Sequence, residues 1–344
     1  MLSPTPAALP QPTPSPIPPQ TPNAIIDSMG APDLQQAIQL LKAHYINPEA
    51  VNDIELNRAM LSGALARLGH GVMLLAERSA AAPEPQHPFF GEIIDGHIGY
   101  LRFGALSQPN LQAIDTTLQG FTGKKVDAVV VDLRASPATN DFAIAAEVAE
   151  RFCAKGKPLF TLRKSAAKQE RPFTSNRDPA YRGLMIVLAD GDTAGPAEAI
   201  AGVLRLYNKA LIIGQATAGR AVEYSDLPLH GGRMLRVAVA EAVLPEGRPL
   251  FPGGLAPDVP VEMSAADKRV IFEQSLTKGM APFVFENERP HMNEAALLAG
   301  RNPELEAMEA AQKRGRPPDK PLPRDPVLQR ALDVVTSLAI YQKR

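Results

Sequence analysis

The amino-acid sequence predicts an α/β fold in which a largely parallel β-sheet is covered by helices on both faces. Three observations support this prediction. Short continuous apolar runs such as "VDAVVVDLR", "GLMIVLAD" and "ALIIGQ" are typical of strands that are buried on both faces. Amphipathic helical patterns such as "PNLQAIDTTLQGF" and "PAEAIAGVLRLYN" alternate with these strands. The chain of 344 residues is long enough for one large core and a smaller unit.

The chain opens with a proline-rich segment that is followed by a helical one. In residues 1–24 proline recurs at almost every second or third position, and because proline lacks a backbone N–H and fixes φ, we expect a disordered lead. Residues 25–80 are predicted as a helical region with two helical runs around the turn "NPEAVN". The first run places four apolar side chains on one helix face, namely Leu34, Ile38, Leu41 and Tyr45.

The α/β core is predicted over residues 92–264. The strand "HIGYLRFG" opens its alternation of strands and helices, and the strand-like "GGRMLRVAVAEAVLP" comes near its end. Residues 265–344 are predicted as a helical C-terminal extension with a proline-rich break. Its last helix has Asp325 as a plausible N-cap and Pro326 in the first turn. We expect this helix to pack on the core, with binding to a partner as the alternative.

Composition excludes several classes of function. The net charge is −1 with acids and bases intermixed, so no basic surface for nucleic acid is expected. A single cysteine, Cys153, rules out an internal disulfide, and we predict a buried, inert thiol. No pair of histidines has metal-ligand spacing, so we predict no metal and no cofactor. We also expect no membrane span and no signal peptide, since neither apolar pattern occurs.

The stretch "ADGDTAGPAEAI" is a sharp turn between a strand and a helix. Many hydrolases place their nucleophile at such a turn. Here the turn offers Gly195 and Pro196 where a serine or cysteine would be expected.

The order of these segments resembles the S41 family of serine peptidases, the tail-specific or carboxyl-terminal processing peptidases. The resemblance runs from about Ile38 to Val261. Its segments are the helical region ending near His70, followed by "DGHIGYLRFGALS", "VDAVVVDLRASPATN", "MIVLADGDTAGPAEAIAGVL", "KALIIGQATAGRAVEY" and "PEGRPLFPGGLAPDVPVE". The resemblance implies a crotonase/ClpP-like core and an extracytoplasmic location. The segment between His70 and Asp95 is too short for the PDZ domain that the family commonly carries there.

The family uses a serine nucleophile with a lysine base. A lysine serves as base only when it is held neutral, and backbone N–H groups must stabilise the oxyanion. By resemblance, Glu198 matches the glutamate of the family's nucleophile motif, which places the nucleophile position at Gly195. The lysine position falls on Arg220. Glycine has no nucleophilic atom, and arginine stays protonated and cannot act as a base.

Two further positions also depart from the family pattern. The glutamine that assists the lysine falls near Glu223 or Tyr224, and the glycine pair of the oxyanion hole corresponds to Ala138 and Thr139. Loss of nucleophile, base, helper and glycines together indicates a degenerate site.

Thr193 is a weak candidate for a substitute nucleophile. The acidic residues near it in sequence are Asp190, Asp192 and Glu223, but a role for Asp192 or Thr193 in capping the helix or completing the turn is favoured. Ser136 is interpreted as a turn residue. His70 receives no catalytic role.

The sequence therefore predicts a non-catalytic member of the family that binds extended peptides or protein C-termini. Arg220 and Glu223 are the candidate peptide-binding residues, with Arg220 holding a carboxylate by a forked contact. The alternative for Arg220 is a structural ion pair with Glu223 or Glu198. Two other functions stay open, an active serine peptidase with its nucleophile elsewhere and a structural or assembly protein. Self-association is also left open.

Overall fold

The computed structural model describes residues 21–76, 88–134, 136, 141–285 and 322–342. The proline-rich lead, the oxyanion-hole positions Ala138 and Thr139 and the middle of the C-terminal extension lie largely outside these residues. The chain divides into two compact units, Met1–Arg67 and Leu68–Arg344.

The first unit is helical in its described part. Its helices are α1 (Pro22–Ser28), α2 (Ala31–His44) and α3 (Asp53–Leu68), of which α3 ends at the first residue of the second unit. Thr21 caps α1 through its side chain, and α2 and α3 are linked by an ion pair between Lys42 and Asp53. None of these three helices contains a buried residue.

The second unit contains the α/β core and the described part of the extension. Its elements in chain order are β1 (Val72–Leu75), β2 (Phe90–Ile94), β3 (Ile98–Arg102), α4 (Gln108–Gly123), β4 (Ala128–Asp132), α5 (Phe142–Glu150), β5 (Pro158–Lys164), β6 (Gln169–Thr174), β7 (Leu184–Ala189), α6 (Pro196–Asn208), β8 (Leu211–Gly214), β9 (Val222–Pro228), β10 (Met234–Leu244), β11 (Arg248–Pro249), β12 (Val259–Pro260), α7 (Ala265–Lys278), α8 (Ala281–Val284) and α9 (Pro326–Gln342).

The main sheet has the order β12-β8-β7-β4-β3-β2. All neighbouring strands run parallel except β2, which pairs antiparallel with β3. The apolar runs that predicted buried strands form its centre, and every residue of β3 and β4 is buried. The predicted parallel sheet is therefore confirmed.

Helices cover both faces of this sheet. Leu111, Ile114 and Leu118 of α4 belong with α5 and α6 to the apolar cluster on one face. The other face packs against α7, α8 and α9, which contribute Phe272, Phe283 and Leu328 among others. The C-terminal extension thus supplies one whole layer of the core.

A second, antiparallel sheet was not predicted from the sequence. Its strands β1, β10, β5 and β6 follow one another in the sheet, and β9 and β11 also pair with β10. Residues 72–75 form a strand of this sheet, so the helical structure predicted for 25–80 ends earlier, at Leu68. The edge strand β6 is mostly exposed and polar, and for this reason its sequence lacks an apolar pattern.

Candidate functional site

The candidate site lies in the turn between β7 and α6, as the sequence predicted. Gly195 is the N-cap of α6 with φ of +61° and ψ of −125°. L-residues rarely adopt this backbone conformation, so a side chain at this position is held under strain. Pro196 follows at the first helical position, where its missing N–H costs no hydrogen bond.

The Glu198 side chain is the centre of the site. It is fully buried, and its carboxylate accepts four hydrogen bonds. Oε2 accepts from the backbone N–H of Gly195 at 3.0 Å and of Arg220 at 2.8 Å. Oε1 accepts from the Thr217 hydroxyl at 2.6 Å and from Gly219 N–H at 2.8 Å. Burial raises the pKa of Glu198 above its ordinary value, against the opposing effect of these four donors.

The two positions that the resemblance pairs as nucleophile and base lie side by side in the structure. The backbone N–H groups of Gly195 and Arg220 share one oxygen of Glu198. The residues at these two positions are a glycine and an arginine.

Among the residues that the structure describes, the Arg220 guanidinium forms no ion pair with Glu223 or Glu198, the two partners of the structural alternative. Glu223 instead pairs with Lys164 at 3.4 Å and with Arg171 at 3.2 Å. Glu198 receives the backbone N–H of Arg220, and the buried Nε of Arg220 has no hydrogen-bond partner among the described residues. This buried N–H donor is available to an acceptor supplied by a ligand.

Tyr224, one of the two residues near which the resemblance places the family's glutamine, contacts the segment after α3. The hydroxyl of Tyr224 donates to the backbone carbonyl of His70 at 2.8 Å. His70 therefore contacts Tyr224 through its backbone. Burial raises the pKa of Tyr224, although the nearby Arg220 cation acts in the opposite direction.

Thr193 has a structural environment. It is fully buried, and its hydroxyl accepts from Asp190 N–H at 3.1 Å and donates to the Leu133 carbonyl at 3.2 Å. The nearest carboxylate oxygen, Oδ1 of Asp190, lies 3.5 Å away, and the other oxygen of that group binds Lys268. The hydroxyl therefore closes the turn and does not cap α6.

Ser136 also lies at this edge of the sheet. It follows β4, is 3% exposed, and its N–H donates to the same Leu133 carbonyl that Thr193 binds. Within the described part of the chain, its hydroxyl has no hydrogen-bond partner. Ala138 and Thr139 come two and three residues later and lie outside the described residues.

Sequence reasoning missed a buried ion network behind the turn. Arg134 binds Asp132 at 2.6 Å and Asp325 at 2.8 Å, and all three side chains are buried. Burial opposes ionisation of Asp132, but the Arg134 guanidinium holds the pKa of its carboxyl below the ordinary value. Asp325 also caps α9, as predicted, by accepting from Val327 and Leu328 N–H. The only sequence signal for this network was charge placed directly after an apolar strand.

Three other predictions concern the cysteine, metal binding and membrane spans. Cys153 is buried, and burial raises the pKa of its thiol to about 12. Across the residues that the structure describes, no group of three or more His, Cys, Asp or Glu side chains is arranged to hold a metal ion. None of the described helices combines the length and apolar character that a membrane span requires.

Residues 97–261 match the model of peptidase family S41. This match supports the S41 resemblance over the predicted α/β core. The carboxy-terminal-processing protease of Bartonella bacilliformis is 28% identical over 180 residues, which are 51% of this chain and 41% of that protein. The carboxyl-terminal-processing protease of Synechocystis is 24% identical over 165 residues, 48% of this chain and 38% of that protein. The chain thus spans about two fifths of the length of these curated relatives.

The fold resembles that of a solved structure of another protein. A putative peptidase from Parabacteroides merdae superimposes with a TM-score of 0.53 at 16% identity, covering 70% of this chain and 85% of that chain. This likeness agrees with the α/β fold predicted from the sequence.

Proposed function

We propose that this S41 protein does not cleave peptides and instead binds extended peptides or protein C-termini in the cleft beside the Gly195 turn. The observation that carries the proposal is glycine in the position where the family resemblance places the nucleophile. Without a side chain at Gly195 no acyl-enzyme forms there.

The base position supports the same conclusion. Arg220 lies next to Gly195, held through the shared oxygen of Glu198. Because a guanidinium stays protonated at physiological pH, it cannot remove a proton from a nucleophile. It is suited to bind a carboxylate through two parallel N–H donors.

The contacts of the neighbouring Thr193 hydroxyl support the same proposal. Thr193 is fully buried and engaged with Asp190 and Leu133. The carboxylate nearest to it is neutralised by Lys268. An active peptidase with a nucleophile elsewhere is the competing proposal, and an assembly role is the third. An extracytoplasmic location stays a prediction that rests on the family resemblance.

Peptide binding at Arg220 can be tested directly. We expect Arg220→Ala to weaken binding of a labelled, unstructured peptide with an apolar C-terminus by about 10-fold or more, since hydrogen bonds to charged groups contribute roughly 1.5–3 kcal/mol. Fluorescence anisotropy with the natural protein and the variant measures the change. The same peptide with an amidated C-terminus should bind both proteins equally.

Arg233→Ala is the matched control, because Arg233 is an exposed arginine at the start of β10. Equal affinity of the natural protein and Arg220→Ala for the free-carboxylate peptide would remove Arg220 from the proposed site.

A further inference from the structure

Lys268 reaches from the C-terminal extension into the turn that carries Gly195. This lysine lies on α7 and is 8% exposed. Its ammonium group contacts the carboxylates of Asp190 and of Asp192, the second at 2.7 Å. It also donates to the backbone carbonyl of Arg134 at 3.3 Å.

The turn after β7 carries carboxylates that the Lys268 ammonium group binds. Asp190 and Asp192 put two carboxylates on one short turn, and Asp190 is only 9% exposed. One oxygen of Asp190 accepts from Asp192 N–H at 3.0 Å, and the other binds Lys268. A buried carboxylate that lacks a partner is strongly destabilising, so the position of the turn depends on Lys268.

The same ammonium group ties two cleft loops together. It binds the carbonyl of Arg134 in the loop after β4 and the carboxylates of the turn after β7. The two loops also meet where Thr193 donates to Leu133, and Ala218 N–H donates to the Thr193 carbonyl from the loop after β8. Three loops at the carboxyl end of the parallel strands are thus held in one arrangement, the usual place for ligands in such sheets.

We propose that Lys268 is a positioning residue that fixes the Asp190–Gly195 turn and thereby sets the shape of the peptide cleft. The C-terminal extension then contributes, through Lys268, a residue that determines the geometry of the site. The effect on peptide affinity rests on the proposed function, whereas the effect on the turn does not.

The test uses Lys268→Met in the full chain, with Lys278→Met as control. Lys278 is exposed near the end of the same helix and contacts only Gln274 among the described residues. Hydrogen exchange followed by mass spectrometry reports on the turn, and fluorescence anisotropy reports on peptide binding. We expect exchange in residues 189–199 of Lys268→Met to rise at least 10-fold and affinity to fall at least 5-fold. Exchange in α4 should keep its natural rate, and Lys278→Met should change neither readout.

The outcomes separate the two proposals. A loosened turn in a protein whose natural form binds no peptide supports the positioning role and contradicts the proposed function. Unchanged exchange and unchanged affinity in Lys268→Met overturn the positioning role alone. An equal rise of exchange in α4 also overturns it, because the lysine would then stabilise the whole fold.

If Lys268→Met fails to fold, Asp192→Asn gives a milder test. The Asp192 side chain is 71% exposed and is one of the two carboxylates that Lys268 binds. We expect a smaller rise of exchange confined to the same residues, and natural exchange rates there would contradict the proposal.

Discussion

The residues that support the turn between β7 and α6 differ sharply from the residues that would perform chemistry there. Glu198 retains four hydrogen bonds that hold Gly195 beside the loop of Thr217, Gly219 and Arg220. The reactive positions themselves hold Gly195, which has no side chain, and Arg220, which cannot act as a base. The residues that support the turn are thus distinct from the positions that the resemblance assigns to chemistry.

The largest effect is expected from breaking the support. Glu198→Gln leaves one carbonyl oxygen where two carboxylate oxygens accepted four donors, and its NH₂ group faces donors that it cannot satisfy. Buried donors without acceptors cost roughly 1–3 kcal/mol each, so we expect the free energy of unfolding to fall by about 2–4 kcal/mol. Urea denaturation followed by circular dichroism measures this loss.

Glu273→Gln is the control, since Glu273 is an exposed glutamate on α7. A change of under about 0.5 kcal/mol is typical of such surface positions. If the two variants lose equal stability, the Glu198 hydrogen bonds do not support the turn as described.

A smaller effect is expected from adding a side chain at the nucleophile position. Gly195 has a φ of +61°, and a non-glycine residue in such a conformation costs about 1–2 kcal/mol. We therefore expect Gly195→Ser to lower the melting temperature while the fold is retained. Gly120→Ala should do the opposite, because Gly120 lies in α4, has open space around its Cα, and alanine is the better helix former. Equal shifts in one direction would contradict the strain assigned to Gly195.

The smallest effect concerns pH. Since burial raises the folded-state pKa of Glu198 above its unfolded value, folding takes up a proton in the window between the two values. The contribution of Glu198 to stability is fully present below the unfolded pKa and is lost as pH rises through the folded pKa. The cost of Glu198→Gln should therefore be larger at the acidic end of that window. Denaturation at a series of pH values checks the direction, and a cost that grows with pH would contradict it.

Local sequence signals predicted much of the core. The apolar runs gave β4, β7 and β8, and Pro196 marked the first residue of α6. These elements are predictable because a strand buried on both faces is continuously apolar and a helix start has its own residue preferences. The antiparallel sheet escaped prediction because β6 is an exposed edge strand and β9 alternates with polar residues, so neither has a strong apolar pattern.

The site was predictable in part for a related reason. The relation of Gly195 to Arg220 followed from motif spacing, and the structure places the two side by side. The contacts of Lys268 with Asp190 and of Asp325 with Arg134 were not predictable, because they join residues far apart in the sequence. Nothing local in α7 distinguishes Lys268 from the exposed Lys278 of the same helix.

The most direct test of the central proposal is incubation of the purified protein with an unstructured, apolar-tailed peptide, followed by mass spectrometry. The Gly195→Ser/Arg220→Lys double variant and Thr193→Ala are assayed beside it. We predict no cleavage by the natural protein over the time in which an active carboxyl-terminal processing protease degrades the peptide. Cleavage by the natural protein that persists in Thr193→Ala and in an independently purified sample would contradict the proposal and place the nucleophile elsewhere in the chain.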